Sequence, residues 1–130
     1  MRILFDTSAY SALGRGHSAI RDLVETADEV LFSSIVLGEL HLGFRGGDRL
    51  EANLADLRAF LQLDHVRAVP VDVGTAEIYG RLARRLRQMG TPIPTNDIWI
   101  AAHAVQYEAG LVTTDRHFAV FEFDVRVFDP

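Results

Sequence analysis

Strand-like and helix-like patterns alternate along the whole of this 130-residue chain, and such alternation leaves few topologies open. It calls for a mostly parallel sheet with helices on both faces. Arg2-Ile3-Leu4-Phe5 reads as a first strand and Ser8 to Leu13 as a short helix, broken by Gly14 and Gly16. Ser18 is placed to cap a helix over Ala19 to Ala27, with Ile20, Leu23 and Val24 on one stripe. Glu29 to Phe32 reads as a second strand, and Ser33 or Ser34 caps a helix that carries Glu39 and stops at Gly46-Gly47. Asp48 opens a helix through Leu63, with Leu50, Leu54, Leu57 and Leu61 at helical spacing. Val66 to Val71 is a third strand, and Thr75 to Met89 a helix ended by Gly90 and the Pro92/Pro94 pair. A helix around Asp97, a strand at Leu111 to Thr113, a turn at Phe118 to Phe121 and a strand at Val125 to Phe128 complete the chain. No linker, repeat or low-complexity tract divides it, so residues 1–130 are expected to form one domain.

Carboxylates punctuate this pattern. Asp6 follows the first strand and Asp115 a late one, so both are expected at the carboxyl edge, where parallel sheets bind ligands. Asp97 opens an apolar helix, and Glu39 interrupts another, Ser34 to Leu42. At about 100° per residue, Ile35, Val36, Leu42 and Gly43 lie within about 60° of Glu39. A buried carboxylate without a partner costs several kcal/mol, and the chain has no lysine to pair with any of them. One shared cation accounts for all four more economically than four accidents. Magnesium and manganese take such oxygen ligands and relieve the repulsion within the cluster. Singly, each acid has a plainer reading: Asp6 as a turn or helix cap, Asp97 as a first-turn acid favoured by the helix dipole. Thr7, Ser8 and Thr113 border the set, where hydroxyls more often cap helices than meet a ligand.

Composition narrows the rest. A net charge of −5, with arginine the only strong base, argues against broad polyanion binding but leaves room for a local groove. Arg81, Arg84 and Arg85 share a helix face, and Arg45 and Arg49 flank Gly46-Gly47; either group could contact phosphates or be a solvated face. Without cysteine there is no disulfide or thiolate metal site. No apolar run approaches the ~20 residues of a membrane span, and the N-terminus enters a strand directly, so a cytoplasmic location is expected. His17, His41, His65, His103 and His117 have no paired ligand spacing and read as surface or structural residues.

Phe5-Asp6-Thr7-Ser8, Ser33 to Leu40, Pro94 to Ala102 and Val112-Thr113-Thr114-Asp115 together, in order and spacing, resemble the PIN-domain nucleases. They resemble in particular the VapC-type toxins of toxin–antitoxin pairs. The resemblance implies a three-layer α/β/α sandwich with a Rossmann-like sheet and Mg²⁺-dependent endoribonuclease activity, with Mn²⁺ able to substitute. It implies Asp6, Glu39, Asp97 and Asp115 as the acidic, metal-holding site, with Thr7 or Thr113 supplying a supporting hydroxyl. It further implies an RNA substrate, a cognate antitoxin and a homodimer. An apolar surplus of Leu40, Leu42, Phe44 and Phe60 agrees with the dimer. His103 and Trp99 depart from the pattern, which bears on pocket shape. Two other functions compete: a phosphatase-like domain with Asp6 as nucleophile, and a non-catalytic protein-binding module of the same fold. The first commonly needs a nearby lysine; the second would be expected to lose an acid from the set.

Overall fold

The computed structural model describes all residues, 1–130. Five strands form one sheet: β1 (Arg2–Phe5), β2 (Glu29–Ser33), β3 (Val66–Val69), β4 (Gly110–Thr113) and β5 (Val125–Val127), in the order β3-β2-β1-β4-β5. Every neighbouring pair is parallel, so the sheet is wholly rather than mostly parallel. Successive strand residues point to opposite faces, yet Ile3, Leu4 and Phe5, and likewise Val30, Leu31 and Phe32, are all completely buried. Both faces are therefore covered by helices.

Those helices are α1 (Thr7–Gly14), α2 (Ser18–Thr26), α3 (Ser34–Arg45), α4 (Leu50–Leu61), α5 (Val73–Met89) and α6 (Thr95–Gln106), with a 3₁₀ turn at Arg116–Val120. An edge-to-face aromatic cluster joins Phe5, Phe32, Tyr10 and Phe60, tying α1 and α4 to the sheet. Tyr79 of α5 stacks on Trp99 of α6 at 4.0 Å. The α5–α6 hairpin is pinned at its other end, where Asp72 caps α5 and, with Thr75, bonds Gln106.

Several boundaries differ from the sequence expectation. His17, not Ser18, caps α2, its Nδ1 accepting the Ile20 amide at 3.3 Å. The helix expected from Asp48 begins at Leu50 and ends at Leu61. β3 stops at Val69 because Pro70 has no amide to donate. Helix α5 starts at Val73, since Thr75 is not its first residue but the third-position member of a capping box with Asp72. The final strand ends at Val127. Ser33 does cap α3, accepting the Ile35 amide at 3.0 Å.

The strand order matters most for function. From β1 the chain steps outward to β2 and β3, then returns across the sheet to β4 on the other side of β1. The order thus reverses between β1 and β4, where the loops at the carboxyl edge diverge and leave a crevice. Asp6 leaves β1 at this point, and its amide donates to the Val112 carbonyl of β4 at 3.2 Å.

Candidate functional site

Asp6 stands at the β1 side of the crevice. Its extended backbone ends β1, and its Oδ1 accepts the Ala9 amide at 2.8 Å, capping α1. The plainer reading of Asp6 as a helix cap is therefore correct as far as it goes. The register pairs Phe5 with Val112, which sets Asp6 alongside Thr113. The Thr113 hydroxyl donates to Asp6 Oδ2 at 2.5 Å and accepts the Asp115 amide at 2.9 Å. The Ser8 hydroxyl donates to Asp6 Oδ1 at 2.7 Å and accepts the Thr114 amide at 2.9 Å. Both hydroxyls are committed to Asp6 rather than turned outward.

A cap needs no charge, because serine or asparagine does the same work. Asp6 nonetheless places a carboxylate where only 4% of the residue is exposed. Burial pushes its carboxyl above the ordinary value; Thr113, Ser8 and the Ala9 amide pull it back, and the charge of Asp115 adds to the rise. That is a cost to the fold that capping alone does not require.

The other acids gather from three further elements. Thr7 donates to Glu39 Oε1 at 2.6 Å, so the first residue of α1 orients the half-buried glutamate of α3. Asn96 lies 3.5 Å from its other oxygen. Asp97 sits in the first turn of α6, where the dipole favours an acid. Burial raises its carboxyl too; a hydrogen bond and the charge of His117 oppose this, while the charges of Glu39 and Asp6 add to it. Asp115 caps the 3₁₀ turn by accepting the His117 amide at 3.1 Å. The His117 ring joins these last two: Nε2 is 2.6 Å from Asp97 Oδ2, and Nδ1 is 2.7 Å from Asp115 Oδ1.

The structure thus brings Asp6, Thr7, Glu39, Asp97, Thr113 and Asp115 to one edge, as the sequence implied. Glu39 shares less of an apolar face than its spacing suggested, because Leu42 is 77% exposed. Sequence reasoning missed His117, which it grouped with scattered histidines. Its place two residues beyond Asp115 was the available signal, but nothing in that spacing pointed to Asp97. His103 and Trp99 do not meet the acids. His103 is wholly buried with Nε2 on the Pro70 carbonyl at 2.9 Å, burial lowering its pKa, and Trp99 packs on Tyr79. Among the arginines, Arg81 is held by Glu77 and Arg85 by Glu122, leaving Arg45, Arg49 and Arg84 exposed and without an ion pair.

The donors are all hard oxygens, as Mg²⁺ or Mn²⁺ prefers, and Asp6 and Asp97 carry a repulsion from neighbouring acids that a divalent cation would relieve. No three acidic or histidine side chains close on a single point. Mg²⁺ commonly binds one or two carboxylates directly and keeps several waters, so the fit is one of donor type and charge.

The buried carboxyls fix a pH dependence. Asp6 and Asp97 have raised values in the fold, so the native state holds more protons than the unfolded chain from about pH 4 upward. Their contribution is present below that point and is lost as pH rises through the raised values. Asp72 and Glu29 titrate in the opposite sense, but they are common to wild type and an Asp6→Asn variant and cancel in the difference. Urea titrations in EDTA should therefore show the variant gaining on wild type as pH rises towards neutrality. A difference that stays flat with pH would contradict the strain assigned to Asp6.

A doubly covered parallel sheet with acids at its switch point defines a class, α/β enzymes or binding proteins acting at the strand ends. The family follows from comparison: the PIN domain profile matches residues 3–124, and the chain belongs to the PIN-domain family. It is 36% identical over 126 residues to ribonuclease VapC19 of Mycobacterium tuberculosis, spanning 93% of this chain and 94% of that one. Ribonuclease VapC5 of the same organism is 27% identical, over 92% of this chain and 87% of its own length. The fold matches a chain of VapBC2 from Rickettsia felis, solved bound to a DNA fragment from its promoter, with TM-score 0.84 and 27% identity, covering 99% and 100% of the two chains. No helix is long and apolar enough to cross a membrane.

Proposed function

We propose that this chain is a metal-dependent endoribonuclease toxin, hydrolysing RNA phosphodiester bonds and neutralised by a cognate antitoxin. The observation that carries the reading is Asp6: a buried carboxylate at the switch point of a parallel sheet, destabilised by burial and by a neighbouring acid. Identity to a protein named a ribonuclease, and likeness in fold to VapBC2 and to a structure described as a member of the VapBC family of toxin–antitoxin systems, support the substrate and partner classes. Residues 1–130 act as one nuclease domain, in the cytoplasm, where RNA is met.

Asp6, Glu39, Asp97 and Asp115 are the residues that would hold Mg²⁺ or Mn²⁺. Bound there, the ion supplies a more acidic water, an anchor for the scissile phosphate and charge to offset the leaving oxygen. The chain's own part is orientation. Thr113 and Ser8 fix Asp6 through two hydroxyls, and Thr7 fixes Glu39. Arg45, Arg49 and Arg84, free of ion pairs, are the candidates for RNA phosphates; Arg81 and Arg85 would first have to leave their glutamates. The phosphatase-like reading gains nothing here, since no lysine exists to assist Asp6.

Cleavage of RNA by the purified chain should require Mg²⁺ or Mn²⁺ and stop in EDTA. Calcium should bind but support little reaction, because its looser coordination positions water poorly. Undiminished cleavage in chelator would overturn the metal-dependent reading.

We also propose a homodimer, on narrower grounds than the sequence offered. Leu40 is only 4% exposed and Phe60 packs in the aromatic cluster, so both are satisfied within one chain. Leu42, at 77%, and Val73, at 87%, remain exposed to be covered. Light scattering at micromolar concentration should give about twice the 14.5 kDa chain mass, and a value at the chain mass would refute it.

A further inference from the structure

We infer that His117 is a positioning residue for the acidic site, setting Asp97 and Asp115 in relation to each other so that a divalent cation meets a prearranged pair. The inference rests on the metal-dependent reading above and adds to it a residue outside the carboxylate set.

Its first support is connectivity. Asp97 belongs to the first turn of α6, and Asp115 caps the 3₁₀ turn after β4. The His117 ring lies between them, hydrogen-bonded through Nε2 to Asp97 and with Nδ1 2.7 Å from Asp115 Oδ1, and no other side chain is hydrogen-bonded to either carboxylate. The His117 main-chain amide also donates to Asp115 Oδ1, so ring and main chain of one residue meet at the same oxygen.

Rigidity is the second support. An orienting group acts only if it is itself held. The His117 ring stacks on Phe118 at 4.8 Å and 29°, and Phe118 is 1% exposed in the core. His117 is thus mounted on a fixed aromatic base.

The third is the choice of oxygens. His117 engages Oδ2 of Asp97 and Oδ1 of Asp115, leaving Asp97 Oδ1 and Asp115 Oδ2 without a hydrogen bond. Those are the two oxygens open to a cation. With both ring nitrogens against carboxylates, the imidazole has no nitrogen left for a substrate, so it acts through the acids and not on the phosphate. Partners that hydrogen-bond metal-ligating side chains commonly account for about 10- to 100-fold in metal affinity.

The test is Mn²⁺ binding to the RNA-free full chain, followed by the electron paramagnetic resonance signal of the free ion, in wild type, His117→Ala and His117→Gln. Alanine removes the bridge, whereas glutamine retains a side-chain N–H able to reach one carboxylate. Alanine should weaken Mn²⁺ binding about 10- to 100-fold. Glutamine should recover part of the loss, and both variants should melt cooperatively in EDTA. In cleavage assays the alanine variant should need correspondingly more Mn²⁺ but approach the wild-type kcat at saturating metal, with KM for RNA little changed. A purely structural role would not give that split. Unchanged or tighter Mn²⁺ binding by a folded alanine variant would overturn the inference while leaving the metal-dependent reading intact; tighter binding would mark His117 as a competitor for the acids. Should alanine fail to fold, glutamine carries the decision: wild-type affinity in it, with wild-type metal demand, overturns the inference, and an intermediate loss supports it. Absence of Mn²⁺ binding by wild type itself would remove the metal-dependent reading, and this inference with it.

Discussion

Asp6→Asn is expected to abolish RNA cleavage while leaving the metal-free protein as stable as wild type or more so. Asparagine is among the best helix-capping residues, so α1 keeps its cap on the Ala9 amide. The asparagine oxygen can still accept from Ser8, and its amide can donate to the Thr113 oxygen, where the carboxylate now accepts. What disappears is a buried negative charge, disfavoured at present by burial and by Asp115. The lost ligand should remove several kcal/mol of transition-state stabilisation, on the order of 100-fold or more in rate. Asp97→Asn should act alike, since burial and the charges of Glu39 and Asp6 strain that carboxyl as well. A loss of activity accompanied by a collapse in melting temperature would say instead that these acids serve the fold. Wild-type cleavage by either pure variant would sink the site.

That pairing, activity lost and stability kept, also separates what the sequence revealed from what it did not. The alternation of periods was legible because strands buried on both faces are continuous apolar runs, as Ile3-Leu4-Phe5 and Val30-Leu31-Phe32 are. Asp6, Asp97 and Asp115 were legible because each interrupts or ends such a run, and a carboxylate there demands a reason. What each does locally was only half legible: Asp6 and Asp115 are also caps, and a cap and a ligand leave the same mark in sequence. Boundaries shifted where a side chain decided them, as with His17 at α2 and the Asp72–Thr75 box at α5. His117 was hidden for a different reason. Its importance is a contact across 20 residues with Asp97, and no periodicity encodes a contact of that kind. The supposed departures, His103 and Trp99, misled for the converse reason: unusual residues in a helix carrying a site acid need not face the site, and these two face α5 and the β3–α5 connection.

Co-expression with a cognate antitoxin should yield a stable complex in which RNA cleavage falls to background. The chemistry of inhibition follows from the edge itself. Four carboxylates stand along one edge, from the end of β1, from α3, from α6 and from the loop after β4, on a chain of net charge −5, so the inhibitory segment should place an arginine or lysine among them. A guanidinium offers paired donors to carboxylates and would stand in for the cation's charge while blocking the phosphate. The rest of the segment has a surface beside it. A cleft of about 350 Å³ between α1, α3 and α4 is lined by Tyr10, Leu40, Phe44 and Arg49, among others. Leu42 is not among its lining residues and Leu40 is only 4% exposed, so the apolar contact should fall on Tyr10 and Phe44. Truncating one member of a buried charge pair typically costs 2–5 kcal/mol, so replacing the partner's inserted base with alanine should weaken inhibition by roughly 30-fold or more. The arrangement predicts competition as well: Mn²⁺ should bind the free toxin and fail to bind the complex. A stable complex that still cleaves RNA, with its carboxylates open to Mn²⁺, would mean that the antitoxin acts from elsewhere on the surface and that the acidic edge is not its target.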